Sequence, residues 1–206
     1  MLTFDEFFAR CHGHWLIERT YHYLPSGEVE RSHTEYQVAG LPDREKRRII
    51  TMALPTGTTL AEGYEADCPA FSIAFDTVSE TGERRSMNLA ALFILDHLVP
   101  SSQWHSPLPL PIAAEISPHD PDILTGYYLR DEGYSESGAI AGRFTYQPSR
   151  NTLEMTTVYR RSVAVDQMRL INDNTRIRTI VTYDRPTDGS APSVINLVGS
   201  GLEQKQ

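Results

Sequence analysis

Leu124 to Asp184, LTGYYLRDEGYSESGAIAGRFTYQPSRNTLEMTTVYRRSVAVDQMRLINDNTRIRTIVTYD, is the stretch that decides the fold. Turn-forming sequences, DEGYSESG, QPSRN, RRS and NDN, divide it into four or five short runs filled with β-branched and aromatic residues. Such a pattern predicts an antiparallel meander. Charge is placed unusually within it, because Asp166, Arg176 and Arg178 lie inside the runs and not at their ends. Arginines at i and i+2 of a strand share one face, and charges are rarely buried without partners. That face is therefore either solvent or a pocket for something anionic.

Upstream, Thr3 followed by Glu6 forms a capping-box pattern, and Phe4, Phe7, Phe8 and Cys11 recur at helical spacing, which predicts a short amphipathic helix over Thr3 to Cys11. From His14 the texture becomes alternation, with Trp15, Ile17, Arg19, Tyr21 and Tyr23 on one face of a strand. A turn at Pro25 to Gly27 and a return strand from Val29 to Val38 complete a hairpin. Asp43 to Ala53 reads as a second short helix, and Phe71 to Val78 and Ser86 to Asp96 as two strands joined through SETGER. Trp104 to Asp122, with PLPLP and SPHDP, is too rich in proline for a central strand and reads as a surface loop or edge segment. Thr187 to Gln206 is polar with Gly, Ser and Pro and reads as a loose tail, so the expected organisation is one domain over residues 1–185 with a polar tail over 186–206. Roughly eight to ten short antiparallel strands suggest a barrel or sandwich, and a small barrel encloses side chains or one small ligand.

At 206 residues and 40% hydrophobic content, the chain is long enough to bury a sizeable core. A net charge of −8 argues against nucleic acid as the main partner, since phosphate binding needs a basic face. Two cysteines, Cys11 and Cys68, are too few for a disulfide framework and suit a reducing compartment. The absence of an apolar run of about 18 residues and the acidic, aromatic opening MLTFDEFF predict a protein that is neither secreted nor membrane-spanning. Cys11, His12 and His14 superficially suggest metal ligands, but no second cluster completes a site, so no metal is expected.

Five elements taken together resemble the S-type (CpcS/CpeS) phycobiliprotein lyases: FFARCHGHWLIERTYHYL at the N-terminus, GYYLRDEGYSE at Gly126 to Glu136, AGRF at Ala141 to Phe144, TTVY at Thr156 to Tyr159 and NTRIRT at Asn174 to Thr179. The resemblance implies an all-β fold, an antiparallel lipocalin-like or fatty-acid-binding-protein-like barrel of about ten strands with an N-terminal helix. It implies a ligand, phycocyanobilin or a related linear tetrapyrrole, held without a covalent bond and then transferred to a cysteine of a phycobiliprotein alpha or beta subunit. By the same resemblance the pocket acid falls on Asp166 and the family's two arginines on Arg176 and Arg178, while Arg19, Thr20 and His22 match its RTxH element. A cyanobacterial cytoplasm, or a plastid stroma, is the implied location. A second lyase subunit, or a second copy of the chain, is an implied partner.

The chemistry explains the residue types. A planar guanidinium meets a propionate with two parallel hydrogen bonds, so Arg19, Arg176 and Arg178 are the expected ligand-binding residues. A carboxylate accepts several pyrrole N–H bonds and stabilises a protonated bilin, which makes Asp166 the expected acid, with His22 the next candidate proton donor. The nucleophile belongs to the acceptor, so neither cysteine is assigned a role. Parity places Asp166 on the core side with Met168 and Leu170. For Arg176 and Arg178 parity alone points to the surface, because Ile177, Val181 and Tyr183 fill the other face. Arg19 and His22 lie on opposite faces of one strand, and Arg19 shares the apolar one. The chain departs from the family at Gln167, Met168 and Arg169, where an aromatic pair is usual, at Asp173 and at Ile180, and Asp166 is one methylene shorter than the family's glutamate. Those departures motivate an alternative, a non-catalytic bilin carrier or the helper subunit of a heteromeric lyase.

Overall fold

The computed structural model describes residues 1–100, 106–114, 122–134 and 136–206. Ten antiparallel strands run up and down in chain order and close on themselves: β1 (Gly13–Tyr23), β2 (Glu28–Gly40), β3 (Ala70–Ser79), β4 (Arg84–Leu95), β5 (Leu124–Arg130), β6 (Ile140–Gln147), β7 (Thr152–Val158), β8 (Ser162–Asn172), β9 (Thr175–Asp184) and β10 (Ile195–Lys205). The expected all-β barrel with an N-terminal helix is the observed fold. The meander is formed by β5 to β9, turning at the predicted places, and Asn151 takes the left-handed conformation in the QPSRN turn.

Closure falsifies the expected tail. β10 pairs with β9 on one side, Gly201 opposite Arg178, and with β1 on the other, Gly201 opposite Arg19. The polar spacer ends before Ile195, and the residues beyond it are the staves that remove both free sheet edges.

Helix α1 (Phe4–Cys11) has the predicted capping box, with the Thr3 hydroxyl accepting from the Glu6 amide and the Glu6 carboxylate accepting from the Thr3 amide. Its four buried side chains, Phe4, Phe7, Phe8 and Cys11, stop one end of the barrel. Phe8 lies 4.7 Å from Phe93 and Phe4 stacks 5.4 Å from Phe144, ring centre to ring centre, so this end is filled by aromatic packing.

Two outer layers explain strands that do not alternate. In β4 the apolar run LAALFIL is buried on both faces: Leu89, Ala91 and Phe93 join the interior, while Leu92 and Ile94 pack against Ile49 and Ile50 of helix α2 (Asp43–Ala53). On the far side, Leu108 and Ala114 cover Val163, Val165 and Tyr183. The described part of the proline-rich segment is therefore a packed layer and not a free loop; Trp104 lies outside the described residues. No described helix is long and apolar enough to cross a membrane.

A chain ending at Ser193 checks the role of β10. It lacks one full strand, so it should show no cooperative thermal transition by circular dichroism, whereas removal of a loose tail would leave the transition unchanged.

Candidate functional site

Above the aromatic stopper the interior opens into a cavity of about 830 Å3, inside the roughly 300–1,000 Å3 range of small-molecule pockets. It widens toward the opposite end of the barrel, where Tyr23, Glu30, Ser79 and Glu83 stand at the rim. The strands supply the lining by parity, so residues two apart on one strand stand at successive depths.

β10 presents Leu197, Gly199, Gly201 and Glu203 to the interior, and the two glycines make the site possible. A Cβ on Gly199 would stand 2.7 Å from the Tyr21 ring, and one on Gly201 3.1 Å from the Arg19 side chain. Their absence lets both side chains of β1 lie across β10.

Glu203 is wholly buried and collects three guanidiniums. Arg176 donates from Nε to Oε2, the Tyr36 hydroxyl donates to the same oxygen at 2.8 Å, and Oε1 faces Arg19 at 3.8 Å and Arg178 at 3.9 Å with no hydrogen bond of its own. Burial alone would raise the Glu203 pKa; Arg176, Arg178 and Arg19 outweigh it and hold the carboxyl below its ordinary range. Arg176 also lies over the Trp15 ring, 4.0 Å from ring centre to guanidinium carbon, and faces a narrow gap beside the cavity.

One residue pair higher, Asp166 receives a fork from Arg178, Nε to Oδ1 at 2.8 Å and Nη2 to Oδ2 at 2.5 Å. Burial opposes the charge on Arg178, but Asp166 and then Glu203 more than offset it. Asp166, Arg178 and Arg19 all line the cavity. Also on the cavity wall stands Arg130, 1% exposed, ringed by Tyr128, Tyr134 and Tyr159, and donating to the Tyr159 hydroxyl.

The structure thus brings together Asp166, Arg19, Arg178 and, one layer down, Arg176. His22 does not join them; it is exposed on the outer face of β1, as its parity with Arg19 requires, so the expectation that it donates a proton in the pocket is corrected. The surface reading of Arg176 and Arg178 from parity is also corrected. Ile177, Val181 and Tyr183 do face outward, but Tyr183 is buried beneath the layer of Leu108 and Ala114, and Val181 packs beside it.

Glu203 and Arg130 are the residues that sequence reasoning missed. The alternation Leu197, Gly199, Gly201, Glu203 was the available signal for the first, and the parity of Arg130 with Tyr128 for the second. Cys11 and Cys68 are buried free thiols; burial raises both, Cys68 to about 12. Among the described residues no group of three or more His, Cys, Asp or Glu is placed to hold a metal ion.

Comparison with known proteins places the chain in a lineage. The model of the family described as CpeS-like protein matches residues 3–103 and 112–192. The chain is 38% identical over 202 residues to chromophore lyase CpcS/CpeS 1 of Synechococcus sp. (strain JA-3-3Ab), spanning 98% of this chain and 96% of that one. It is 24% identical over 176 residues to chromophore lyase CpcS/CpeS of Thermosynechococcus vestitus (strain NIES-2133 / IAM M-273 / BP-1), spanning 85% and 81%. The solved structure of the S-type phycobiliprotein lyase CPES from Guillardia theta superposes with a TM-score of 0.67 over 100% of this chain and 93% of that chain at 14% identity, a likeness of fold. On the family match and the full-length 38% identity, the chain belongs to the CpeS-like family.

Proposed function

We propose that the protein is a chromophore lyase that holds a linear tetrapyrrole, phycocyanobilin or a relative, noncovalently in its barrel and hands it to a cysteine of a phycobiliprotein subunit. The observation that carries this reading is the charge arrangement of the deeper cavity and its floor, below the rim charges Glu30, Glu83, Arg84 and Arg85, where four guanidiniums, Arg19, Arg130, Arg176 and Arg178, accompany two carboxylates, Asp166 and Glu203. A surplus of two positive charges suits a ligand carrying two propionates. The names of the relatives, chromophore lyases, support the same class of activity.

Each group then has a task. Asp166, held by Arg178 but still reaching the cavity, accepts pyrrole N–H groups and is the acid within reach of the bound chromophore. Arg19 and Arg178 receive ligand carboxylate. Arg176 is a positioning residue, because its guanidinium is committed to Glu203 and it holds that carboxylate beneath the other two arginines. The transfer forms a C–S bond between the acceptor thiolate and an ethylidene or vinyl carbon of the terminal ring, with a proton returned to the conjugated system. The barrel mainly orients the chromophore and keeps water from it. The high thiol pKa values and burial of Cys11 and Cys68 fit a nucleophile supplied by the acceptor.

The departures from the family pattern bear on this reading according to where they point. Gln167 turns outward and donates to Glu154 at 2.5 Å, and Arg169 is exposed on the same outer face, so neither touches the ligand space. Ile180 lines the cavity opposite Asp166. Met168 is buried and lines the narrow gap beside the cavity, so the departures that reach the interior are Met168, Ile180 and the acid itself, an aspartate where the family has a glutamate. The reading places the protein in the compartment where bilins are made, acting on an alpha or beta subunit alone, with a second lyase subunit or as a homodimer.

Co-expression with bilin-making enzymes and candidate acceptor subunits should yield a covalently coloured, zinc-fluorescent subunit; for every acceptor, no more than a lyase-free control gives would overturn the transfer step, and bilin binding without it would leave a carrier. Asp166→Asn should lower the transfer rate by about 100-fold or more, the usual contribution of a positioned acid, with bilin still bound. Glu203→Gln should lower unfolding free energy at neutral pH by about 3 kcal/mol, as it leaves a buried guanidinium without its carboxylate. Because the folded carboxyl is held below its ordinary 4.5, its contribution is complete above that value and is lost as pH falls through the lower folded one. The stability gap between parent and variant in chemical denaturation should therefore be steady at neutral pH and close below about pH 4.5.

A further inference from the structure

Arg130 differs from Arg19, Arg176 and Arg178 in having no carboxylate partner among the described residues. Arg176 and Arg178 are engaged by Glu203 and Asp166, and Arg19 faces Glu203. Arg130 has the burial of Arg176 without its ion pair: it is 1% exposed, it donates to the Tyr159 hydroxyl, and its Nε has no hydrogen-bond partner. Three tyrosine rings surround it, with centres 4.4 Å (Tyr134), 5.4 Å (Tyr128) and 5.8 Å (Tyr159) from the guanidinium carbon. Ring faces soften the burial of a cation but leave its N–H donors unpaired, and an unpaired buried charge is costly. The arrangement is what a protein keeps when the missing anion arrives with the ligand.

We propose that Arg130 is a carboxylate-binding subsite of the cavity, with its Nε donating to one carboxylate of the bound ligand and Tyr128, Tyr134 and Tyr159 forming the walls. The inference rests on the tetrapyrrole reading for the identity of that carboxylate, one propionate of the chromophore. Position supports it. Arg130 ends β5 on the rim side and lines the same cavity as the Asp166–Arg178 pair, and its tyrosines Tyr128 and Tyr134 also reach the gap that Arg178 lines, so it offers a carboxylate contact beside that pair which no protein carboxylate occupies. Tyr134 belongs to the connection after β5, is 48% exposed, and stacks on Arg130 while its other neighbour is Phe75, 6.3 Å away. One ring thus reaches from the β5 side toward β3 and covers the guanidinium of Arg130, and a charge contact made there is less screened by water.

The test compares binding of a bilin as the free diacid and as its dimethyl ester, by absorbance titration, to the unsubstituted protein and to Arg130→Gln, with thermal melts confirming the fold of each. The expected result is a preference for the diacid that falls by about 10- to 100-fold in R130Q, the loss of one charge-assisted hydrogen bond, while ester binding is unchanged. A diacid-to-ester ratio equal in the two proteins overturns the proposal. Should R130Q fail to fold, Arg130→Lys, which keeps the charge without Nε, is read the same way: the ratio falls, and an unaltered ratio overturns the proposal. If neither form of bilin binds the unsubstituted protein, the tetrapyrrole reading fails by itself. The subsite is then decided with dodecanoate against dodecanol, where a preference for the acid that is lost in R130Q supports it and one that persists overturns it.

Discussion

The contact between Glu203 and Arg176 is the constraint on which the rest of the interior depends. Three guanidiniums gather around one buried carboxylate in this barrel, and like charges brought together away from water repel one another unless a counter-charge sits among them. The carboxylate that offsets them is carried by β10, the strand whose pairing with β1 and β9 closes the sheet. Barrel closure and charge balance are therefore a single event. Until β10 docks, Arg19 on β1 and Arg176 and Arg178 on β9 have no shared counter-charge, and once it docks, all three are fixed at known depths.

The aromatic stopper makes this arrangement sharper. Trp15 lies under the Arg176 guanidinium, and the Phe4, Phe7 and Phe8 rings of α1 fill the space below. With water kept from beneath, the ion pairs sit in a poorly screened environment, so charged groups hold well-defined positions relative to one another. The upper cavity has the opposite character, with an open rim. A gradient from dry floor to wet mouth follows from one helix of eight residues being placed at one end.

The hairpins and the meander could be read from sequence because alternation and turn residues are local signals. β10 could not be read in the same way. Its inward face is diluted by Gly199 and Gly201, whose missing side chains are the space that Arg19 and Tyr21 occupy, so the feature that makes the strand useful also hides it. The family model match likewise stops at residue 192, before β10 begins. Parity misled at β9 for a different reason. An apolar odd face normally marks the core, but here Tyr183 and its neighbours on β8 are buried from outside by Leu108 and Ala114, a layer contributed by a distant proline-rich segment. Asp166 was legible because its strand neighbours Met168 and Leu170 are plainly interior, and Arg19 because Trp15 and Ile17 share its face. Glu203 pairs with residues 27, 167 and 184 positions away in sequence, from Arg176, Tyr36 and Arg19, and no local pattern reports such a meeting.

Pre-paired charges also bear on how a barrel of this kind would release its ligand. A pocket of bare arginines would bind a dicarboxylate tightly and part with it slowly, because most differences in affinity reside in the dissociation rate. Here the arginines of the floor already hold protein carboxylates, so a ligand gains only what is left after Asp166 and Glu203 have taken their share. A ligand carboxylate of the proposed kind would either share Arg178 with Asp166 or turn to Arg19 and Arg130, which has no carboxylate partner among the described residues. On the proposed function, such partial neutralisation suits a protein that orients a reactive molecule and then gives it up. On that reading, the same two carboxylates that neutralise the arginines of the barrel limit how firmly it would hold a dicarboxylate.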